Sequence, residues 1–250
     1  MDIKKLPQAW KHESELALVR DYFYPEHKEP DPFAPAASDK RLDAIDLIAL
    51  YLLRNPGTPH AMAATANLTE ASLHNEQADR DSHISDNAMR SIYAMAFVKF
   101  VNGFVDRDVA KANTASLALG AEPIEVDDDY DSDILRSSDD ESGEMKAKVK
   151  GGGESSMYAY AAKIGMPEDF VDLRHNIVHG DIPPLETLRG YNKQALGWLW
   201  EKWWTRNATG DPTRAKSEME EQAQVADAAR RRSIEAWQQY DAAKSSADAT

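Results

Sequence analysis

A chain of 250 residues, 42% of them hydrophobic, can bury a domain-sized core without cross-links, and the absence of cysteine excludes disulfides, thiolate metal sites and a cysteine nucleophile. The formal charge of −14 does not exclude an RNA partner, because it is uneven. Residues 121–156 alone carry twelve acids against four bases, and a local cationic groove decides whether phosphates are tolerated.

Neither the N-terminal MDIKKLPQAWKHESEL nor any later stretch approaches the ~20 apolar residues of a membrane span. A soluble intracellular protein is expected, with no membrane partner. Strand-type alternation is almost absent and helical spacing recurs throughout, which points to an all-α protein of six or seven helices.

In chain order, residues 12–24 set Leu16, Val19, Tyr22 and Phe23 on one side of a helix that Pro25 ends. From Ser38, a second helix brings Leu42, Ile45 and Leu52 to three-four spacing and stops at Asn55–Gly57. Thr58 as N-cap and Pro59 at the first helical position open a third, running to about Gln77 with Met62, Leu68 and Leu73 inward. Ser85 or Asp86 can cap the next, the most apolar stretch of the chain, where Ile92, Met95, Ala96, Val98, Phe100, Val101, Phe104 and Val105 cover more than one face. It is expected to be the central buried helix.

Residues 121–156 combine an acidic run, serines and a triple glycine. Such a segment buries too little apolar surface to offset the entropy of ordering it, so a disordered acidic loop within one domain is expected. Pro167, Glu168 and Asp169 then suit the start of a helix, where acids favour the N-terminal dipole. Gly180 sits where a C-cap belongs, and Pro183 and Pro184 bar continuation. The following helix, with Leu185, Leu188, Leu196, Trp198, Leu199, Trp200, Trp203 and Trp204, leaves little of its circumference polar, so it is buried on most sides or forms an interface. From Asp211 the chain is a helix former with few core residues beyond Val225, Ile234 and Trp237. Arg230, Arg231 and Arg232 read as a solvated face.

The stretch with chemical promise is DLRHNIVHGD, residues 172–181. Steps of about 100° place Arg174, His175, Val178 and His179 within an arc of roughly 140°. A zinc site also begins from two histidines four apart, but it needs a third and usually a fourth ligand; Asp172 and Asp181 are not in a recognised spacing. Metal-free cleavage of RNA by its own 2′-hydroxyl needs a general base, a general acid and a fixed positive charge. Imidazole, with an ordinary pKa near 6.5, can serve as either base or acid at neutral pH. A guanidinium stabilises negative charge growing on the phosphoryl oxygens without titrating.

These residues also carry a resemblance. RHNIVH resembles the active-site signature of the HEPN superfamily of helical ribonucleases. The longer run GMPEDFVDLRHNIVHGDIPPLETLRGYNKQALGWLWEKWW is similar to the HEPN domain of the Las-type endoribonucleases of eukaryotic ribosome biogenesis. LPQAWKHESELALVRDYFYP, TPHAMAATANLTEA and SIYAMAFVKFVNGFVD resemble the earlier helices of that family in order. The resemblance covers about residues 4–120 and 157–206, leaving out the acidic segment and the tail.

It implies a HEPN-type helical bundle over residues 1–206, with the loop 121–156 inside it and 211–250 as a helical extension or linker. It implies metal-independent cleavage of the second internal transcribed spacer of precursor ribosomal RNA, leaving a 2′,3′-cyclic phosphate and a 5′-hydroxyl, with Arg174, His175 and His179 as the catalytic set and no cofactor. It further implies a homodimer with a composite active site, a polynucleotide kinase partner and a nucleolar location. Two other functions fit the residues: a non-catalytic helical scaffold in a ribosome-assembly complex, and a zinc hydrolase built on His175 and His179.

Overall fold

The computed structural model describes residues 9–27, 38–78, 84–105 and 152–248, with side chains omitted for 152–156 and 241–248. Among the described residues there is no strand, and the all-α expectation holds. The helices are α1 (Glu13–Phe23), α2 (Arg41–Arg54), α3 (His60–Ala78), α4 (Asp86–Val105), α5 (Gly152–Ile164), α6 (Glu168–His179), α7 (Leu185–Leu199) and α8 (Thr213–Asp248). α7 continues through a π-helical segment, Trp200–Trp204, into a last turn, Thr205–Asn207. No described helix is long and apolar enough to cross a membrane.

The helices fall into two compact units. One holds α2 to α7. α4 is its central element, packed against α3, α5, α6 and α7. Phe100 is fully buried and meets Phe97, Phe104, Phe170 and Trp198 edge to face, with ring centroids 5.7 to 5.8 Å apart. Such geometry suits the quadrupoles of aromatic rings and adds about 0.5–1.5 kcal/mol per pair beyond area burial. Three of the six tryptophans, Trp198, Trp203 and Trp204, are buried in this core. Trp198 donates its indole N–H to Gly165 O at 2.8 Å, and Trp204, wholly buried, donates to Thr65 Oγ1 at 2.9 Å.

The other unit holds α1 and α8. Leu16, Val19 and Phe23 are buried as the spacing of α1 requires. Arg20 hydrogen-bonds Ala208 O, His12 Nε2 lies 3.1 Å from Glu218 Oε2, and Ser14 Oγ accepts the Ala215 N–H at 3.0 Å. Farther along α8, Val225, Ile234 and Trp237 are exposed, Trp237 by 68%, so they form no core. Arg230, Arg231 and Arg232 are exposed as expected.

Besides the core residues expected on α8, four expectations need correction. The apolar residues singled out on α2 are not its buried face: Leu42 is 62% exposed and Leu52 is exposed, while Ala44, Ile48 and Tyr51 are buried. Nearly every turn of α2 offers two apolar faces, so spacing alone cannot choose between them. Met95 on α4 is 58% exposed, leaving one face of the central helix open. Thr58 is not an N-cap. It is buried, and its hydroxyl donates backward to Asn55 O at 2.7 Å and Tyr51 O at 3.1 Å, closing the end of α2 while α3 starts at His60. Finally, the acidic loop expected over 121–156 lies outside the described residues except for 152–156, which form the start of α5.

Candidate functional site

α6 begins as its residue types require, with Pro167 at the N-cap and Glu168 and Asp169 in the first turn. Phe170, Val171 and Leu173 are its buried face. Phe170 enters the aromatic core of α4 and α7, 5.5 Å from Phe97 and 6.1 Å from Tyr191 between ring centroids. That insertion fixes the rotation of α6 about its axis. Arg174, one turn on, is therefore half-buried beside α4 and donates its Nε–H to Asn102 Oδ1 at 2.8 Å.

His175 is half-buried and His179 exposed. Their rings lie 4.7 Å apart between centroids, tilted by 45°. Val178, on the same arc, is 45% exposed. The three residues singled out from the sequence thus share one flank of α6, with the two imidazoles adjacent. Among the described residues, no group of three or more His, Asp or Glu side chains gathers as a metal site would.

α6 is tied down at its middle and at its C-terminal end. Asp172 accepts the hydroxyl of Tyr158 on α5 at 2.6 Å. Gly180 is the C-cap, and its N–H returns to Asn176 O at 2.8 Å. Its φ of −136° is extended backbone. A Cβ there would sit close against Asn176 O, at 3.0 Å, so a larger residue needs the last turn to give by a few tenths of an ångström. Beyond it, Arg90 of α4 donates Nε–H to Pro183 O at 2.9 Å and a terminal N–H to Ile182 O, so the turn after His179 is held from the same helix that holds Arg174.

Tyr191 on α7 faces the N-terminal half of α6, its ring against Phe170. Burial, and then the negative charges of Asp169 and Asp172, push its hydroxyl above the ordinary tyrosine value, so it is protonated at neutral pH. A groove of about 410 Å³ lies elsewhere, between α3 and α4, lined by residues including Asn67, Glu70, His74, Met95 and Lys99. Arg174, His175 and His179 are not among its lining residues; they lie on the flank of α6, the first two half-buried and His179 exposed.

Asn102 and Arg90 were not anticipated from the sequence. Asn102 is 72 residues from Arg174, beyond the reach of any helical spacing rule. Its one local signal is a polar amide within the most apolar helix.

The Las1-like family matches residues 8–129 and 142–206 of the chain. Protein LAS1 of Saccharomyces cerevisiae is 29% identical over 198 residues, which cover 78% of this chain and 30% of that protein. Pre-rRNA-processing protein las1 of Schizosaccharomyces pombe is 23% identical over 216 residues, covering 84% of this chain and 33% of that protein. The chain therefore spans about a third of the length of these curated relatives. With the family match extending over well more than half of its residues, the chain belongs to the Las1-like family.

Proposed function

We propose that this chain is the nuclease part of a precursor ribosomal RNA processing enzyme, a metal-independent endoribonuclease of the HEPN type that cuts the second internal transcribed spacer. The observation that carries the proposal is the grouping of Arg174, His175 and His179 on one flank of α6, with imidazoles 4.7 Å apart and the guanidinium half-buried beside α4. The name of the Schizosaccharomyces pombe relative, a pre-rRNA-processing protein, supports the choice of substrate.

The chemistry needs nothing beyond these side chains. One imidazole takes the proton of a 2′-hydroxyl as its oxygen attacks the adjacent phosphorus. The bond from phosphorus to the 5′ oxygen breaks, and the other imidazole returns a proton to that oxygen. Arg174 stabilises the charge that grows on the non-bridging oxygens. The products are a 2′,3′-cyclic phosphate and a 5′-hydroxyl.

One helix flank makes a shallow site, and cleavage calls for several donors around one phosphate. Two copies of α6 facing each other across a two-fold axis meet that demand, so the active form is a homodimer with a composite site. A polynucleotide kinase partner consumes the 5′-hydroxyl product, and the work takes place in the nucleolus. Residues 1–206 carry the nuclease domain, and 211–250 are a helical extension or linker.

The test is cleavage of a spacer transcript in EDTA, with and without the kinase partner. Wild-type protein is expected to cut, leaving a 5′ end that accepts phosphate from a polynucleotide kinase, and His179→Ala is expected to abolish cutting while circular dichroism keeps its helical signal. Inactivity of the wild type even with the kinase would leave the helical scaffold as the function; activity restored only by added zinc would point to the hydrolase.

A further inference from the structure

We infer that Asn102 on α4 is a positioning residue for this cleavage: its Oδ1 takes the Nε–H of Arg174, so that the two terminal nitrogens of the guanidinium are left to meet the scissile phosphate. The inference rests on the nuclease function proposed above.

Arginine has five N–H donors in a planar fork and no acceptor. Only the oxygen of the Asn102 amide can therefore face it, which settles the orientation of that amide. The bond at 2.8 Å uses Nε, which removes the side-on edge of the guanidinium and leaves its end, Nη1 and Nη2, for a two-bond contact with phosphate. Among the described residues Asn102 is the one hydrogen-bond or ion-pair partner of Arg174. Among the described residues, Nη1 and Nη2 make no hydrogen bond.

Two features suit Asn102 to the task. Its amide is neutral. A carboxylate in its place would also hold Nε–H, but would offset the positive charge that the phosphoryl oxygens require in the transition state. Its backbone is also rigidly held: Phe100 and Phe104 on either side of it are buried in the aromatic cluster, and Gly103 lies directly against the His60 ring of α3. The long, flexible arginine side chain is thereby ordered before RNA arrives.

The experiment is a double-mutant cycle on cleavage of the spacer transcript, using wild type, Asn102→Ala, Arg174→Ala and the double variant, each with the kinase partner present. Asn102→Ala is expected to lower kcat by ~10- to 100-fold, the effect of a misplacement of about 1 Å, with KM within about twofold. In the Arg174→Ala background the same change is expected to cost nothing further. The Nε–H of Arg174, followed by NMR, is expected to exchange with solvent faster once Asn102 is alanine. Equal losses in both backgrounds, or unchanged exchange of that proton, would overturn the inference while leaving the nuclease function intact. Wild-type protein that cuts nothing would overturn the nuclease function itself and the inference with it.

Discussion

The imidazole of His60 on α3 fills the space that a side chain at Gly103 on α4 would need: a Cβ there would lie 2.0 Å from His60 Nε2. The ring is held in that place by an edge contact with Phe104, 4.8 Å between centroids, and by Nε2 donating to Phe100 O at 3.2 Å. Gly103→Ala must push the ring out of both contacts. Alanine gains up to about 1 kcal/mol over glycine in a helix, while overpacking of this kind costs about 1–3 kcal/mol, so a net loss is expected in the urea unfolding midpoint. Gly190 and Gly197 on α7 are the controls. Nothing lies within 4 Å of a Cβ at either, so alanine there should raise the midpoint.

The same histidine makes stability depend on pH. Burial lowers the pKa of His60, against the smaller opposing effect of its bond to Phe100 O. The unfolded chain takes up the proton at the ordinary value near 6.5, whereas the folded protein resists it to lower pH. The stability that neutral His60 contributes is therefore complete above about pH 6.5 and is lost as pH falls below it. Urea midpoints measured between about pH 7.5 and 5 should fall more steeply in wild type than in His60→Phe, which keeps a ring but cannot titrate. Parallel profiles would show that the ring is not shielded from protonation.

A buried relay joins α3 to the end of α7. The indole N–H of Trp204 donates to Thr65 Oγ1 at 2.9 Å, and that hydroxyl donates to Ala61 O at 2.8 Å. Thr65→Val leaves the indole donor without its partner in a closed interior, at a cost of about 1–3 kcal/mol. Removing both partners, as in Thr65→Val with Trp204→Phe, relieves that penalty, though the smaller ring loses packing. Chemical denaturation should thus show the pair costing less than the sum of the single changes.

Arg90 governs the turn after His179 through its bonds to Ile182 O and Pro183 O. Arg90→Ala should leave the global unfolding midpoint within about 1 kcal/mol, since the side chain is only half-buried and bonds of this kind contribute modestly. Hydrogen exchange near Gly180 should nevertheless accelerate, and spacer cleavage should slow. Arg90→Lys should not restore either property, because a single ammonium cannot span two carbonyls as the planar fork does.

Positions near the chain's own turns were legible in advance. Pro167, Glu168 and Asp169 at the start of α6 and Gly180 at its end act over three or four residues, the range of helical hydrogen bonding. Arg174, His175 and His179 lie on one flank because 100° per residue places them there. α2 was less legible, since exposed Leu52 stands four residues from buried Ile48, and the choice of face depends on what α3 offers.

From its order of residues alone, the chain determined that it is helical, where α6 begins and ends, and that two imidazoles and a guanidinium lie within one arc, because those are consequences of bonding between near neighbours. Tertiary structure decided that Phe170 turns α6 toward α4, that Asn102 receives Arg174, and that Trp204 finds Thr65. Each of those pairings joins residues dozens of positions apart, and only the packing of the core brings such distant groups within hydrogen-bonding or van der Waals range.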